Sequence, residues 1–220
     1  MATALLSRPV DRFLPFGGRL CLDFANTVNG RLTPAPDDLL VDAADLAAWG
    51  RRIGLLPQAD AARLAAEWAD DSSAAGAWLA CARALRETIY SIFAAIASGG
   101  QPSRADVSAL MDAYRTALAE TQLVAGTDSG PWRRESTPAD PPRPLGWLVG
   151  PVARSAMDLL TSADLGRLKR CAGADRGCAG LFVDETKNGI RRWCRMDDCG
   201  SRSKMRRLYA RRRATRAGES

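Results

Sequence analysis

The sequence predicts a mainly α-helical protein in two parts: a helical N-terminal domain over residues 1–165 with a candidate small β-hairpin, and a small C-terminal module over residues 166–216 that carries four cysteines and ends in a basic helix. Three observations carry this reading. Apolar residues recur at helical spacing through most of the chain up to about residue 163, with Gly, Pro and capping residues between the runs. Four of the six cysteines lie between 171 and 199. Charge is segregated: residues 167–216 hold sixteen Lys or Arg against five Asp or Glu, whereas residues 1–166 hold fifteen against nineteen, so the formal net charge of +6 belongs to the last quarter.

The elements follow in order. In "RLCLDFANTVNG", Leu20, Leu22 and Phe24 alternate as in a strand, while Leu20, Phe24 and Val28 share a helical face; the reading leans to helix. "LVDAADLAAWGRRIGLLP" sets Ala43, Leu46, Ala47 and Ile53 on one side of a short helix, with Trp49 beside them, and Gly54 and Pro57 stop it. "PQADAARLAAEWAD" is a second, Ala-rich helix. Asp71 or Ser72 caps a third, whose apolar spacing runs through Leu85, Ile89, Ile92, Phe93 and Ile96 to Gly99-Gly100. Ser103 caps a fourth, with Val107, Leu110, Met111, Tyr114 and Leu118 as its expected core stripe. "TQLV" and "WRRES" are short extended runs that can pair as a hairpin, and "TPADPPRP" is a loop flanked by Trp132 and Trp147. In "LGWLVGPVARSAMDLLTSA" a last helix either starts at Pro151 or kinks there.

Cys171, Cys178, Cys194 and Cys199 are spaced C-x6-C-x15-C-x4-C. Two cysteine pairs, each closed by a short loop, suit a tetrahedral four-thiolate zinc site, with one structural Zn2+ as the expected cofactor. The first gap is wide, but glycines at 173, 177 and 180 let its loop fold round a metal. Four free thiols or a redox pair are the alternatives, and neither gap is C-x-x-C. Leu181, Phe182, Val183, Trp193 and Met196 are almost the whole apolar content of this segment, so a metal would stabilise a module too small to fold on burial alone. Cys21 and Cys81 read as buried small hydrophobes.

"GSRSKMRRLYARRRATR" follows the last cysteine. Ser201 or Ser203 can cap a helix on which Met205, Leu208 and Tyr209 form an apolar stripe expected to dock on the metal module. The other faces carry Arg202, Lys204, Arg206, Arg207 and Arg211. Like charges at i, i+4 repel, so the arrangement makes physical sense where a polyanion compensates them. The excess of Arg over Lys suits two-pronged contacts to phosphate or guanine, although an Arg- and Ala-rich composition also follows from a GC-rich genome.

Residues 171–213, "CAGADRGCAGLFVDETKNGIRRWCRMDDCGSRSKMRRLYARRR", resemble the CGNR-type zinc finger. Phe182, Asp184, Arg191, Arg192, Trp193, Cys194, Cys199, Gly200, Arg202 and Lys204 stand where that pattern expects them. Ser201 replaces its asparagine, and the first cysteine loop is longer. The upstream stretches "RLCLDFANTV", "DLAAWGRRIGLL" and "SAMDLLTSADLGRLKRC" resemble the ABATE domain, a family named for stress-induced transcription regulation. Together the resemblances cover nearly the whole chain.

The expected function is a DNA-binding transcription regulator, with Arg191, Arg192, Arg202, Lys204, Arg206, Arg207 and Arg211 contacting duplex DNA. Asp23, Asn26 and Thr27, an acid, an amide and a hydroxyl beside apolar residues, are candidates either for a small-molecule effector pocket or for capping and bracing the first helix. RNA or ribosome binding, or a protein-interaction module, are the alternatives. The chain has no histidine, P-loop, G-x-G-x-x-G after a strand or G-x-S-x-G, so no enzyme is expected. No membrane span or signal peptide is read, which places the protein in the cytoplasm at the nucleoid. A homodimer would match a palindromic operator, although no coiled-coil heptad is visible.

Overall fold

The computed structural model describes residues 8–126, 130–136 and 149–218. After a 3-10 turn at Pro9–Arg12, the chain forms helix α1 (Leu20–Ala25), a minimal ladder of β1 (Val28–Asn29) with β2 (Asp37–Asp38), and helices α2 (Ala43–Arg52), α3 (Gln58–Asp70), α4 (Ser72–Ala97) and α5 (Arg104–Ala119). Strands β3 (Thr121–Val124) and β4 (Arg133–Ser136) pair antiparallel, with Gln122 opposite Glu135. Helix α6 (Gly150–Leu160) begins with Pro151 in its first turn, where the missing N–H costs nothing. The chain closes with β5 (Leu168–Arg170), β6 (Leu181–Val183), a π-type turn at Met196–Gly200 and helix α7 (Ser201–Gly218). The fold is mainly helical, with a four-cysteine cluster leading into the last helix.

Local signals placed the helix ends. Asp42 accepts a hydrogen bond from the Asp45 amide at the start of α2, Asp71 from Ala74 at the start of α4, and the Ser103 hydroxyl from Asp106 at the start of α5. Helix α4 is the axis of the molecule: Leu79, Ala82, Leu85, Ile89, Ile92 and Phe93 are buried along it, and it touches α1, α2, α3, α5, β5 and β6.

Helix α1 lies within this packing, and Cys21, Leu22, Phe24 and Ala25 are all fully buried. Four buried residues in a six-residue helix spread apolar positions round most of its circumference, which is why its sequence also showed strand-like alternation. Phe24 packs on Trp49 with ring centroids 4.9 Å apart.

The ladders β1–β2 and β5–β6 have two and three residues per strand, too short to leave a periodic signal. Several expectations fail at the surface. Cys81 is exposed, as are Val107 and Leu118 of the expected α5 stripe, whose buried member is Leu110. The axis of α5 meets α4 and α6 along a narrower face than five stripe positions implied. Trp132 is exposed, and Trp147 lies outside the described residues, as does the loop "TPADPPRP". No helix of the described residues is long and apolar enough to cross a membrane.

Candidate metal centre and basic helix

Strand β5 runs straight into Cys171, whose amide donates to Gly180 O at 2.8 Å and prolongs the ladder with β6. Between them the chain turns through a short 3-10 segment, Ala174–Arg176. The Arg176 and Cys178 amides both return to Gly173 O, at 2.9 and 3.1 Å, and close the long first loop. Gly177 sits at φ +79°, and a Cβ there would come within 2.1 Å of Thr33 Cγ2, so this turn admits only glycine. The second pair is set by the π-type turn, in which the Gly200 amide donates to Arg195 O at 3.0 Å and Cys199 faces inward just before α7.

All four Sγ atoms lie within 4.8 Å of one another, and those of Cys178 and Cys194 are 3.7 Å apart. A tetrahedron of sulfurs about 2.3 Å from a central Zn2+ has edges of about 3.8 Å. The cluster therefore fits one zinc ion. None of the four cysteines is in a disulfide, and Cys171, Cys194 and Cys199 are buried with Phe182, against Phe16 and Trp193. Without metal the four thiols do not ionise together. The crowding of the four sulfurs shifts them apart: its neighbours lower the Cys171 thiol below its ordinary value and raise Cys194 above its own. A divalent cation removes that conflict by taking all four as thiolates.

The N-terminal segment builds one wall of the centre. Asp23 Oδ1 accepts from the Phe16 and Gly17 amides, each at 2.8 Å, and so holds the strap 16–18 in place. Burial pushes the Asp23 carboxyl above its ordinary value, against the pull of those amides and of Arg191. The Val183 amide donates to Gly17 O at 2.9 Å, and the Leu32 amide to Gly177 O at 3.0 Å. Buried Asn26 uses both ends of its amide on one residue, donating to Leu181 O at 2.8 Å and accepting from Leu181 N at 2.9 Å. The buried Thr27 hydroxyl donates to Phe24 O at 2.8 Å and is met by Arg86 at 3.3 Å. Asp23, Asn26 and Thr27 thus brace the fold. A cleft of about 260 Å3 between Arg19, Leu20, Arg154 and Asp158 is not lined by any of them.

The basic residues divide into two groups. Arg191 points inward: its Nη2 donates to Phe16 O at 2.9 Å and to Cys194 O at 2.6 Å, and its guanidinium lies 4.1 Å over the Phe182 ring. It ties the strap to the second cysteine loop. The other group is exposed. Arg192 stands 5.7 Å from the Trp193 ring, Arg202 pairs with Asp198 at 2.6 Å, and Arg206 pairs with Asp175. Lys204 and Arg207 are exposed and have no ion pair among the described residues. Arg211 belongs to α7, but its side chain is outside the described residues.

Met205, Leu208 and Tyr209 do not dock on the metal module. They are 45%, 40% and 56% exposed, because α7 leaves the cluster after its first turn, where Ser203 is the buried residue. Met196 is exposed as well. The Ser201 hydroxyl donates to Met196 O at 2.9 Å and so locks the π-type turn to the helix.

Two further residues matter here, Asp184, which the resemblance placed in the finger pattern without a role, and Arg176, which sequence reasoning passed over. Buried Asp184 gathers Lys169 Nζ at 2.7 Å, the Thr186 hydroxyl and amide, and the Arg191 amide at 2.9 Å. Burial alone would raise its carboxyl, but these partners hold it well below the usual carboxylate range. Arg176 crosses from the first loop to Cys199 O at 3.2 Å. The role of Asp184 was not legible from its place in the pattern, and Arg176, an Arg in a charged segment, carried no distinguishing signal.

Two family models match the chain. Residues 18–163 match ABATE, whose description reads "Putative stress-induced transcription regulator", and residues 167–212 match the CGNR zinc finger. No curated protein matches it.

Proposed function

Because the chain belongs to the ABATE family and ends in a CGNR zinc finger, we propose that it is a transcription regulator that binds duplex DNA through the first turns of α7, held in place by a structural zinc ion. The observation that carries the proposal is the set of exposed cations, Arg192, Arg202, Lys204, Arg206 and Arg207, beside a cluster that fits the metal. Lys204 and Arg207 need release no partner among the described residues to meet a phosphate. The Asp198 and Asp175 pairs of Arg202 and Arg206 are surface ion pairs worth about 0–1 kcal/mol each, which a phosphate can replace.

Zinc here is structural: four thiolates leave no open position for a substrate or water, so the reading is not enzymatic. Arg191 is withdrawn from the contact set because its guanidinium is engaged inside the module. Effector sensing at Asp23, Asn26 and Thr27 is not carried into the proposal, since their polar atoms already have partners within the fold.

The test is fluorescence anisotropy of zinc-quantified protein against a random duplex and a structured RNA across a salt series, with and without chelator. Five phosphate contacts predict a log-log salt slope of about −4.5 on duplex DNA, lost with the metal. Preference for the RNA would make this an RNA-binding zinc protein. Binding to neither would overturn the nucleic-acid reading and leave a protein-interaction module.

A further inference from the structure

Arg176 sits in the loop between the first two cysteines, and its guanidinium is engaged on only one side. Nη2 donates to Cys199 O at 3.2 Å, and the group lies 5.6 Å over the Trp193 ring. Nε and Nη1 are buried and have no hydrogen-bond partner among the described residues. A half-buried guanidinium with two shielded, idle nitrogens is costly unless an anion or acceptor stands nearby.

The surroundings exclude the ordinary partners. Arg176 makes no ion pair among the described residues, and the adjacent carboxylate, Asp175, is taken by Arg206. A nucleic-acid phosphate cannot reach nitrogens that are buried. The Trp193 ring attracts the flat face of the guanidinium but leaves its in-plane N–H groups unsatisfied.

What does border the group is the cysteine cluster. A Cβ on Gly173 would stand 3.3 Å from Arg176 Nη2, 3.4 Å from Cys199 Sγ and 3.2 Å from Cys178 Cβ, so cation and thiols line the same small space. Four thiolates on one Zn2+ leave a net charge of −2 in that space. We infer that Arg176 is a positioning residue of the metal centre: its positive charge offsets the excess charge of the zinc–thiolate group, with Nη2 as the nitrogen that lines the space beside Cys199 Sγ. Arginine suits this because its planar fork can hold the Cys199 carbonyl and still present further donors, which a lysine ammonium on a flexible stem does less well. The inference rests on the metal site alone and is independent of nucleic-acid binding.

The test uses the full-length, zinc-loaded protein. Arg176→Met keeps most of the side-chain volume and removes charge and donors; Arg176→Lys keeps the charge. The Met variant is expected to bind one zinc with an unchanged far-UV spectrum and to surrender it to a competing chelator about 10- to 100-fold more readily, with Lys between the two. Equal zinc affinity in the Met variant and the parent would overturn the inference. Should the Met variant not fold, the unmodified protein loaded with 113Cd decides: scalar coupling between 113Cd and an assigned Arg176 N–H proton supports the contact, and assigned N–H protons without coupling overturn it.

Discussion

Asn26 commits both ends of its amide to Leu181, a residue 155 positions away, and so ties the helical part directly to the finger. Asn26→Ala strips a buried N–H and a buried C=O of that partner, and the expected loss is about 2–4 kcal/mol in urea unfolding. Asn26→Asp should be no better, because a carboxylate oxygen would then face the Leu181 carbonyl. Asp184 governs the acid side of stability. Its carboxyl is held below its ordinary value in the fold, so the unfolded chain takes up a proton near pH 4 that the folded chain resists. Its contribution is complete above that range and is lost as pH falls through the lower folded value. Melting temperatures followed from pH 7 to 2.5 should decline below about pH 4, and Asp184→Asn should start lower and decline less steeply.

Helix α7 is tethered at its start, and the apolar residues that follow are exposed. Arg202–Asp198 and Arg206–Asp175 link it to the two metal loops, while Met205, Leu208 and Tyr209 stay exposed. Replacing Lys204 and Arg207 together by Ala should reduce the duplex salt slope by about 1.8 and leave zinc content and melting unchanged. Asp175→Asn acts in the opposite direction: it frees Arg206 and removes a negative charge beside the contact face, so duplex affinity at low salt should rise. A fall in affinity would show instead that the ion pair is needed to aim the helix.

At the scale of the molecule the finger is not a bead on a tether. Leu168, Leu181 and Val183 belong to the same buried cluster as the helices, Tyr90 of α4 donates to Ala179 O at 3.3 Å, and the strap 16–18 joins the wall of the metal centre. Zinc binding free energy is then stability for more than the residues around it. Chelation should lower the midpoint of one cooperative transition and reduce amide exchange protection in residues 16–33 as well as 168–200. Two separate transitions, or loss confined to 168–200, would show that the two parts fold independently.

The sequence by itself determined the helical class, the caps at Asp71 and Ser103, the β3–β4 pair, the four clustered cysteines and the basic last helix, because each of these is encoded by residues within a turn or two of one another. It did not determine what covers a surface or who partners a polar group. Met205, Leu208 and Tyr209 have the spacing of a docking stripe, but spacing says only that they share a face, not that anything lies against it. Asp23 and Asn26, open between an effector pocket and a brace, Arg191, read as a DNA contact, and Arg176, not singled out, each hold a partner within the fold in the tertiary structure. The physical reason is distance along the chain: Asn26 meets Leu181 and Phe16 meets Arg191 across more than 150 residues, and only the packing of α1, β6 and the strap brings those atoms within hydrogen-bonding range.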